Sequence, residues 1–120
     1  MKMNARIGIK ERSFQFALRI IRIFSSVKND DAGKIIGKQI LRSGTSIGAN
    51  IEEAYAGQSK KDFTNKMTIA LKESRETNYW LRLIRDSELM PANRMNDIIL
   101  ESDELSKILG KTVITSKKNM

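Results

Sequence analysis

The stretch RSGTSIGANIEEA, residues 42–54, decides the fold of this chain. At about 100° per residue, its apolar residues and those just before it fall on one helical arc of about 120°. Ser43 and Asn50 lie on the same arc, and buried polar groups need hydrogen-bond partners. We expect both to bond across to another helix or back to a backbone carbonyl. The members of the arc are Ile36, Ile40, Ser43, Ile47, Asn50, Ile51 and Ala54.

Three glycines lie on a second face of this helix, about 100° away from the apolar arc. They are Gly37, Gly44 and Gly48. Each glycine inside a helix costs about 0.5–1 kcal/mol relative to alanine. Their common face indicates that another backbone passes close by. The alternative is that all three are tolerated surface glycines.

The next helix begins after a break at Gly57, which suits the residue following a helix. Ser59 is a good N-cap, and Asp62 completes an approximate capping box. A core stripe follows over about residues 60–88, formed by Phe63, Met67, Ala70, Ser74, Thr77, Leu81 and Ile84. A second apolar face, formed by Ile69, Trp80 and Leu83, predicts contact with another surface. The alternative is that Trp80 packs at the edge of the bundle.

The first helix is predicted over about 14–28, with Ser13 as its cap and a core stripe of Phe14, Ala17, Leu18, Ile21 and Phe24. Four more apolar residues, Phe16, Ile20, Ile23 and Val27, widen the apolar arc to about 200°. One bundle does not need so wide an arc. We therefore expect something outside the bundle to cover Phe16 and Ile23.

The fourth helix follows Pro91 over about 92–111, with Met95, Ile98, Ile99, Ser102, Leu105 and Leu109 facing inward. Short connections near 29–32, 56–59 and 89–92 make successive helices antiparallel neighbours. The pattern predicts one all-α domain over residues 1–120, an antiparallel up-down-up-down four-helix bundle. A flexible basic N-terminal arm (about 1–12) and a polar C-terminal tail (about 112–120) flank it.

The 120-residue chain contains no cysteine and no histidine. The usual nucleophile–base pairs and most transition-metal sites are therefore excluded, and we predict no catalytic residue, metal or cofactor. We expect Glu53 and Glu76 to pair with arginine or lysine, or to accept hydrogen bonds, rather than hold a metal. No apolar run approaches the about 20 residues of a membrane span, and no signal peptide is visible. These features predict a soluble cytoplasmic protein without a membrane partner.

The net charge of +8 is concentrated near the N-terminus, where residues 1–30 hold seven lysines or arginines against two acids. Such a patch is the usual electrostatic feature of a protein that binds nucleic acid or another polyanion. The alternative is a basic solvated surface with no specific partner. Arg12, Arg19 and Arg22 fall within about 80° on the first helix. The predicted nucleic-acid-binding residues are Lys2, Arg6, Lys10, Arg12, Arg19 and Arg22.

A set of spaced residues in the middle of the chain carries a family resemblance. The set is Arg42-Ser43, Ser46-Ile47, Asn50-Ile51, Glu53, Asp62-Phe63, Ile69-Ala70, Ser74 and Glu76. It resembles the 23S rRNA intervening-sequence proteins, small bacterial four-helix bundles related to the accessory variability determinant of diversity-generating retroelements. The resemblance covers about residues 14–109. Ala54 and Glu73 depart from it, because the family usually has glycine at both positions.

The resemblance implies the same bundle fold and ring-like homo-oligomers, often pentamers. The predicted interface residues are Phe16, Ile23, Ile69, Trp80 and Leu83. The first functional hypothesis is a non-enzymatic protein that binds RNA through backbone charge, since no aromatic-rich recognition motif is present. The second is an oligomeric scaffold whose basic face docks a nucleic-acid enzyme such as a reverse transcriptase. The missing residue types argue against an enzyme.

Overall fold

The computed structural model describes residues 8–120, which form four α-helices and no strand. They are α1 (Ile9–Val27), α2 (Asp31–Ala56), α3 (Lys60–Asp86) and α4 (Ala92–Lys118). The all-α prediction is therefore confirmed. However, α1 begins inside the predicted arm and α4 continues through most of the predicted tail, so both flanking segments are shorter than expected.

The helix caps explain which boundaries could be predicted. Ser59 caps α3 as expected, because its side chain accepts a hydrogen bond from the Asp62 amide at 3.0 Å. Asp30 caps α2 in the same way through the Gly33 amide at 2.8 Å. By contrast, Ser13 is no cap: it lies buried within α1 and donates to the Lys10 carbonyl at 3.0 Å. α1 begins after Gly8, which offers no capping side chain.

The core face of α1 is rotated away from the predicted one. The buried apolar side chains of α1 are Phe16, Ile20, Ile23 and Val27, whereas Phe14 is 54% exposed and Ile21 is 45% exposed. The prediction was wrong because both faces of this helix are apolar, so periodicity alone could not choose between them. The width of the apolar arc was correct, but Phe14 and Ile21 form its outer part.

The glycine face of α2 packs directly against α1, but the prediction of a close backbone holds only at Gly48, where a Cβ atom would lie 3.5 Å from the Ser13 backbone; at Gly37 and Gly44 the close atoms belong to side chains of α1. A Cβ atom added at Gly44 would lie 2.7 Å from Ile20 Cγ1. At Gly37 it would lie 3.0 Å from the ring of Phe24. At Gly33 it would meet the carbonyl oxygen of Val27. These close approaches let the side chains of α1 fit into the glycine face, and they select the side of α1 that turns inward.

The polar residues of the core arc are all bonded. Thr77 Oγ1 donates to Ser43 Oγ at 2.8 Å, which links α2 to α3. Asn50 is half-buried and donates back to the Ser46 carbonyl at 2.8 Å, as one of the two predicted options required. Within residues 8–120, no buried side-chain nitrogen or oxygen lacks a hydrogen-bond partner.

The contacts between helices run in opposite chain order, which is consistent with the predicted up-down-up-down arrangement. Between α2 and α3, Glu53 meets Lys66 and Arg42 meets Glu76. The other pairs of helices follow the same rule, with contacts Thr64–Ser116 and Arg85–Asn96 between α3 and α4, and Arg12–Glu101 and Arg19–Asp97 between α1 and α4.

Candidate nucleic-acid interface

Arg12 is an internal cross-link rather than a nucleic-acid contact. It is only 7% exposed. Its Nη2 lies 2.7 Å from Glu101 Oε1 and 2.9 Å from Glu104 Oε1, and its Nε donates to Glu101 Oε2 at 3.1 Å. The hydrogen bond to Glu101 is the main cause of the raised pKa of Arg12. These carboxylates neutralise the charge of Arg12 inside the bundle. Its predicted role in binding nucleic acid was therefore wrong.

Most of the other predicted nucleic-acid-binding residues are also paired with acids or lie outside the described residues. Arg19 Nη2 lies 2.8 Å from Asp97 Oδ2, and Lys10 Nζ lies 3.7 Å from Glu52. Arg22 is exposed, and no carboxylate of residues 8–120 lies within 4.0 Å of it. Lys2 and Arg6 lie outside the described residues. Of the predicted cations that the structure describes, only Arg22 keeps an uncompensated charge.

The charges of α4 are segregated along its length. Its acids, Asp97, Glu101, Asp103 and Glu104, all precede residue 105, whereas Lys107, Lys111, Lys117 and Lys118 all follow it. The acids face arginines of α1, except Asp103, which accepts from Asn78 Nδ2 at 3.0 Å. The acids of α4 therefore do not neutralise the positive charge of the lysines in its second half.

Three of these lysines line an open groove of about 560 Å³ between α3 and α4, which we call the α3–α4 groove. Its cations are Arg75, Lys107, Lys111 and Lys118. In the described part of the chain, no carboxylate lies within 4.0 Å of any of them. Gly110 and Ile114 form the groove between the cations, and a Cβ atom added at Gly110 would have no neighbour within 4 Å. The groove is thus positively charged, shallow and open to a large partner.

Sequence reasoning missed this groove, although a signal was present. Residues 105–120 contain four lysines and no acid. This run was overlooked because the quarter of the chain that contains it has a net charge close to zero. The acids of this quarter lie on α4, one to three turns before Lys107, and are already bonded to side chains of other helices.

The middle of the chain carries ion pairs between α2 and α3. Arg42 Nη1 lies 3.1 Å from Glu73 Oε1, and its Nη2 pairs with Glu76. Lys66 Nζ lies 2.7 Å from Glu53 Oε1. The expectation that Glu53 and Glu76 pair with basic residues is confirmed. Ser74 adds a link to α4, because its hydroxyl lies 2.7 Å from Ser106 Oγ.

The predicted interface residues divide into two groups. Phe16 and Ile23 are 1% and 7% exposed, so their assignment to an outer face was wrong. Trp80 is half-buried against the core, and its Nε1 donates to Glu76 at 3.0 Å. This position matches the alternative in which Trp80 packs at the edge of the bundle. Leu83 is half-buried, and Ile69 is exposed.

No three histidine, cysteine, aspartate or glutamate side chains from residues 8–120 converge as metal ligands would. None of the helices formed by these residues has the length and apolar character needed to cross a bilayer.

Comparisons with known proteins match the chain to one family model and to solved structures. The family model described as 23S rRNA-intervening sequence protein matches residues 6–111. The chain is also similar to a crystal structure from Bacteroides thetaiotaomicron, of a protein with unknown function from the S23 ribosomal protein family. The two are 43% identical with a TM-score of 0.83, and the alignment covers 88% of this chain and 98% of that one. No curated protein matches the chain.

Proposed function

Because the chain belongs to the 23S rRNA-intervening sequence protein family, we propose that it is a non-enzymatic protein that binds RNA. The observation that carries the proposal is the α3–α4 groove, whose four cations have no carboxylate partner among the described residues. Uncompensated cations on one open surface are what the phosphate backbone of a nucleic acid requires.

The shape of the groove favours backbone contacts over base recognition. Lys107 and Lys118 are separated by about 16 Å along the helix axis, enough to meet several phosphates. Lysine contacts phosphate as a point charge and carries no sequence information. Gly110, between them, leaves room for a strand to approach the helix backbone. We therefore expect binding that depends strongly on salt and little on sequence.

Charge-matched variants test this proposal. Replacing Lys107, Lys111 and Lys118 with glutamine should weaken binding to a structured RNA in electrophoretic shift assays over a salt series. Losing three phosphate contacts should reduce the slope of log K against log salt by about 2–3. The control variant carries glutamine at Lys28, Lys34 and Lys38, exposed positions at the α1–α2 end of the bundle. Equal weakening of both variants, or wild-type binding by the first, would contradict the proposal.

We further propose that the protein is a homo-oligomer, which would repeat the α3–α4 groove around the assembly. The supporting observation is the outer face of α1, where Phe14 and Ile21 are exposed two turns apart. Apolar residues on a shared helix face favour burial against another surface. The family resemblance makes a pentamer the expected size. An assembly of this kind could also dock a nucleic-acid enzyme, which is the rival function.

That rival predicts no tight binding of RNA by the protein alone. A wild-type protein that gives no shift at low salt would therefore favour the scaffold function. Salt-sensitive binding that the groove variant loses would favour RNA.

A further inference from the structure

A second basic site lies between α1 and α4, on the other flank of α4 from the α3–α4 groove. It is a cleft of about 240 Å³, which we call the arginine cleft. Its rim carries Arg19 and Arg22 from α1 and Arg94 from α4. Its floor is apolar and consists of the buried side chains Ile23, Met90 and Ile98.

The charges around the cleft are not balanced by the protein. Arg19 is held by Asp97, with 2.8 Å between Nη2 and Oδ2. Neither Arg22 nor Arg94 has a carboxylate of residues 8–120 within 4.0 Å. Three guanidinium groups thus surround one small space with a single acid among them. These like charges repel one another. An anion bound in the cleft would attract all three guanidinium groups and so offset their repulsion.

We propose that the arginine cleft binds one phosphate group. Guanidinium groups donate paired N–H bonds that match phosphate oxygens, and Arg19 is already oriented by its ion pair. The volume is smaller than the roughly 300–1,000 Å³ typical of whole-ligand pockets, so the cleft suits a phosphate with an attached sugar rather than a cofactor. The apolar floor would contact that sugar.

This site does not depend on the RNA-binding proposal. The arginine cleft includes Arg94 of α4, whereas the lysines of the α3–α4 groove begin at Lys107, about 20 Å further along α4. The phosphate could be the terminal group of a nucleic-acid strand or an internal phosphodiester. Free inorganic phosphate has the same chemistry and serves as the primary probe.

The test is a titration of the full chain with sodium phosphate, followed by NMR of the arginine Nε–Hε signals at constant ionic strength. Wild type should show saturable shifts of Arg19, Arg22 and Arg94 below about 10 mM phosphate, and sodium chloride should not reproduce them. Arg22→Gln with Arg94→Gln should abolish saturation at Arg19. The charge-matched control, Lys34→Gln with Lys38→Gln, should bind phosphate as wild type does.

A linear response, an equal response to chloride, or unchanged saturation in the double arginine variant would overturn the proposal. Thermal unfolding of each variant shows whether the bundle is intact, and Arg22→Lys alone provides a milder change if the double variant unfolds. A second arm compares one oligonucleotide with and without a 5′-phosphate. Tighter binding of the phosphorylated form identifies a terminal phosphate as the source, and equal binding that the double arginine variant weakens identifies an internal one.

The two proposals fail independently. RNA binding that the lysine variant loses, together with no phosphate response at Arg22 and Arg94, would leave the α3–α4 groove and eliminate the cleft. A saturable phosphate response in a protein that shifts no RNA would leave the arginine cleft and eliminate the α3–α4 groove.

Discussion

Single residues explain why net charge was a poor guide to the binding surface. Arg12 looked like part of a basic face, but its guanidinium is buried between Glu101 and Glu104. Removing one partner of a buried pair leaves the other charge without compensation. The raised pKa of Arg12 means that this partner loses its charge only at strongly alkaline pH. The positive charge of Arg12 is therefore constant at every pH of interest.

Arg12→Met should lower the free energy of unfolding by about 3 kcal/mol, because the Glu101 side chain, only 12% exposed, would remain unpaired. Urea denaturation measures the loss. Arg22→Met is the control, and its exposed, unpaired position predicts a change within about 0.5 kcal/mol. Adding Glu101→Leu to Arg12→Met should recover part of the stability. Similar losses for the two arginine variants would show that the pair contributes nothing.

Two glycines on different helices give opposite expectations for the same substitution. Gly44→Ala would bring a Cβ atom to 2.7 Å from the buried, β-branched Ile20, so stability should fall by about 1–3 kcal/mol despite better helix propensity. Gly110→Ala meets nothing within 4 Å and should raise stability by about 0.5–1 kcal/mol. Thermal unfolding of both variants tests the close approach. A stabilised Gly44→Ala protein would contradict it.

At the scale of the helices, the sequence could specify α2 and α3 more fully than α1. The glycine face of α2 and the Ser59 cap of α3 carry local signals that survive in the structure. α1 has two apolar faces and no capping side chain at its start, so its phase and its boundary depend on contacts with α2. Those contacts join residues distant in sequence, and periodicity cannot report them.

The hydrogen bond between Ser43 and Thr77 is the clearest polar link between α2 and α3. Thr77→Val should cost about 1–3 kcal/mol, because it keeps the shape but leaves the buried Ser43 hydroxyl with one partner fewer. The double variant with Ser43→Ala should lose less than the sum of the single losses. Chemical denaturation of the four proteins completes the cycle. Strict additivity would show that the two hydroxyl groups are not coupled.

At the scale of the whole molecule, the fold class could be predicted but the candidate site could not. Four amphipathic segments with short connections are sufficient for a helical bundle. The site depends on which cations remain after α1 and α4 pair, and this requires the three-dimensional arrangement. Arg75 and Lys107 illustrate the difficulty, since they lie on different helices and meet only in the folded bundle.

The outer face of α1 gives a prediction about assembly. Phe14→Glu with Ile21→Glu should shift the protein from oligomer to monomer in sedimentation experiments, because charge would replace the exposed apolar side chains. Leu100→Glu, at an apolar position of α4 that is 62% exposed, is the control and should leave assembly unchanged. A wild-type protein that sediments as a monomer at micromolar concentration would remove the basis for this interface.

The ion pair between α1 and α4 has a consequence for the folding rate. Arg12 and Glu101 are 89 positions apart in the chain, whereas the other bonded neighbours belong mostly to successive helices. Closing so long a loop costs more entropy than forming contacts between successive helices. The Arg12–Glu101 contact should therefore form after the transition state. Arg12→Met should then accelerate unfolding and leave the refolding rate nearly unchanged. The bundle would open first along the seam between its first and last helices.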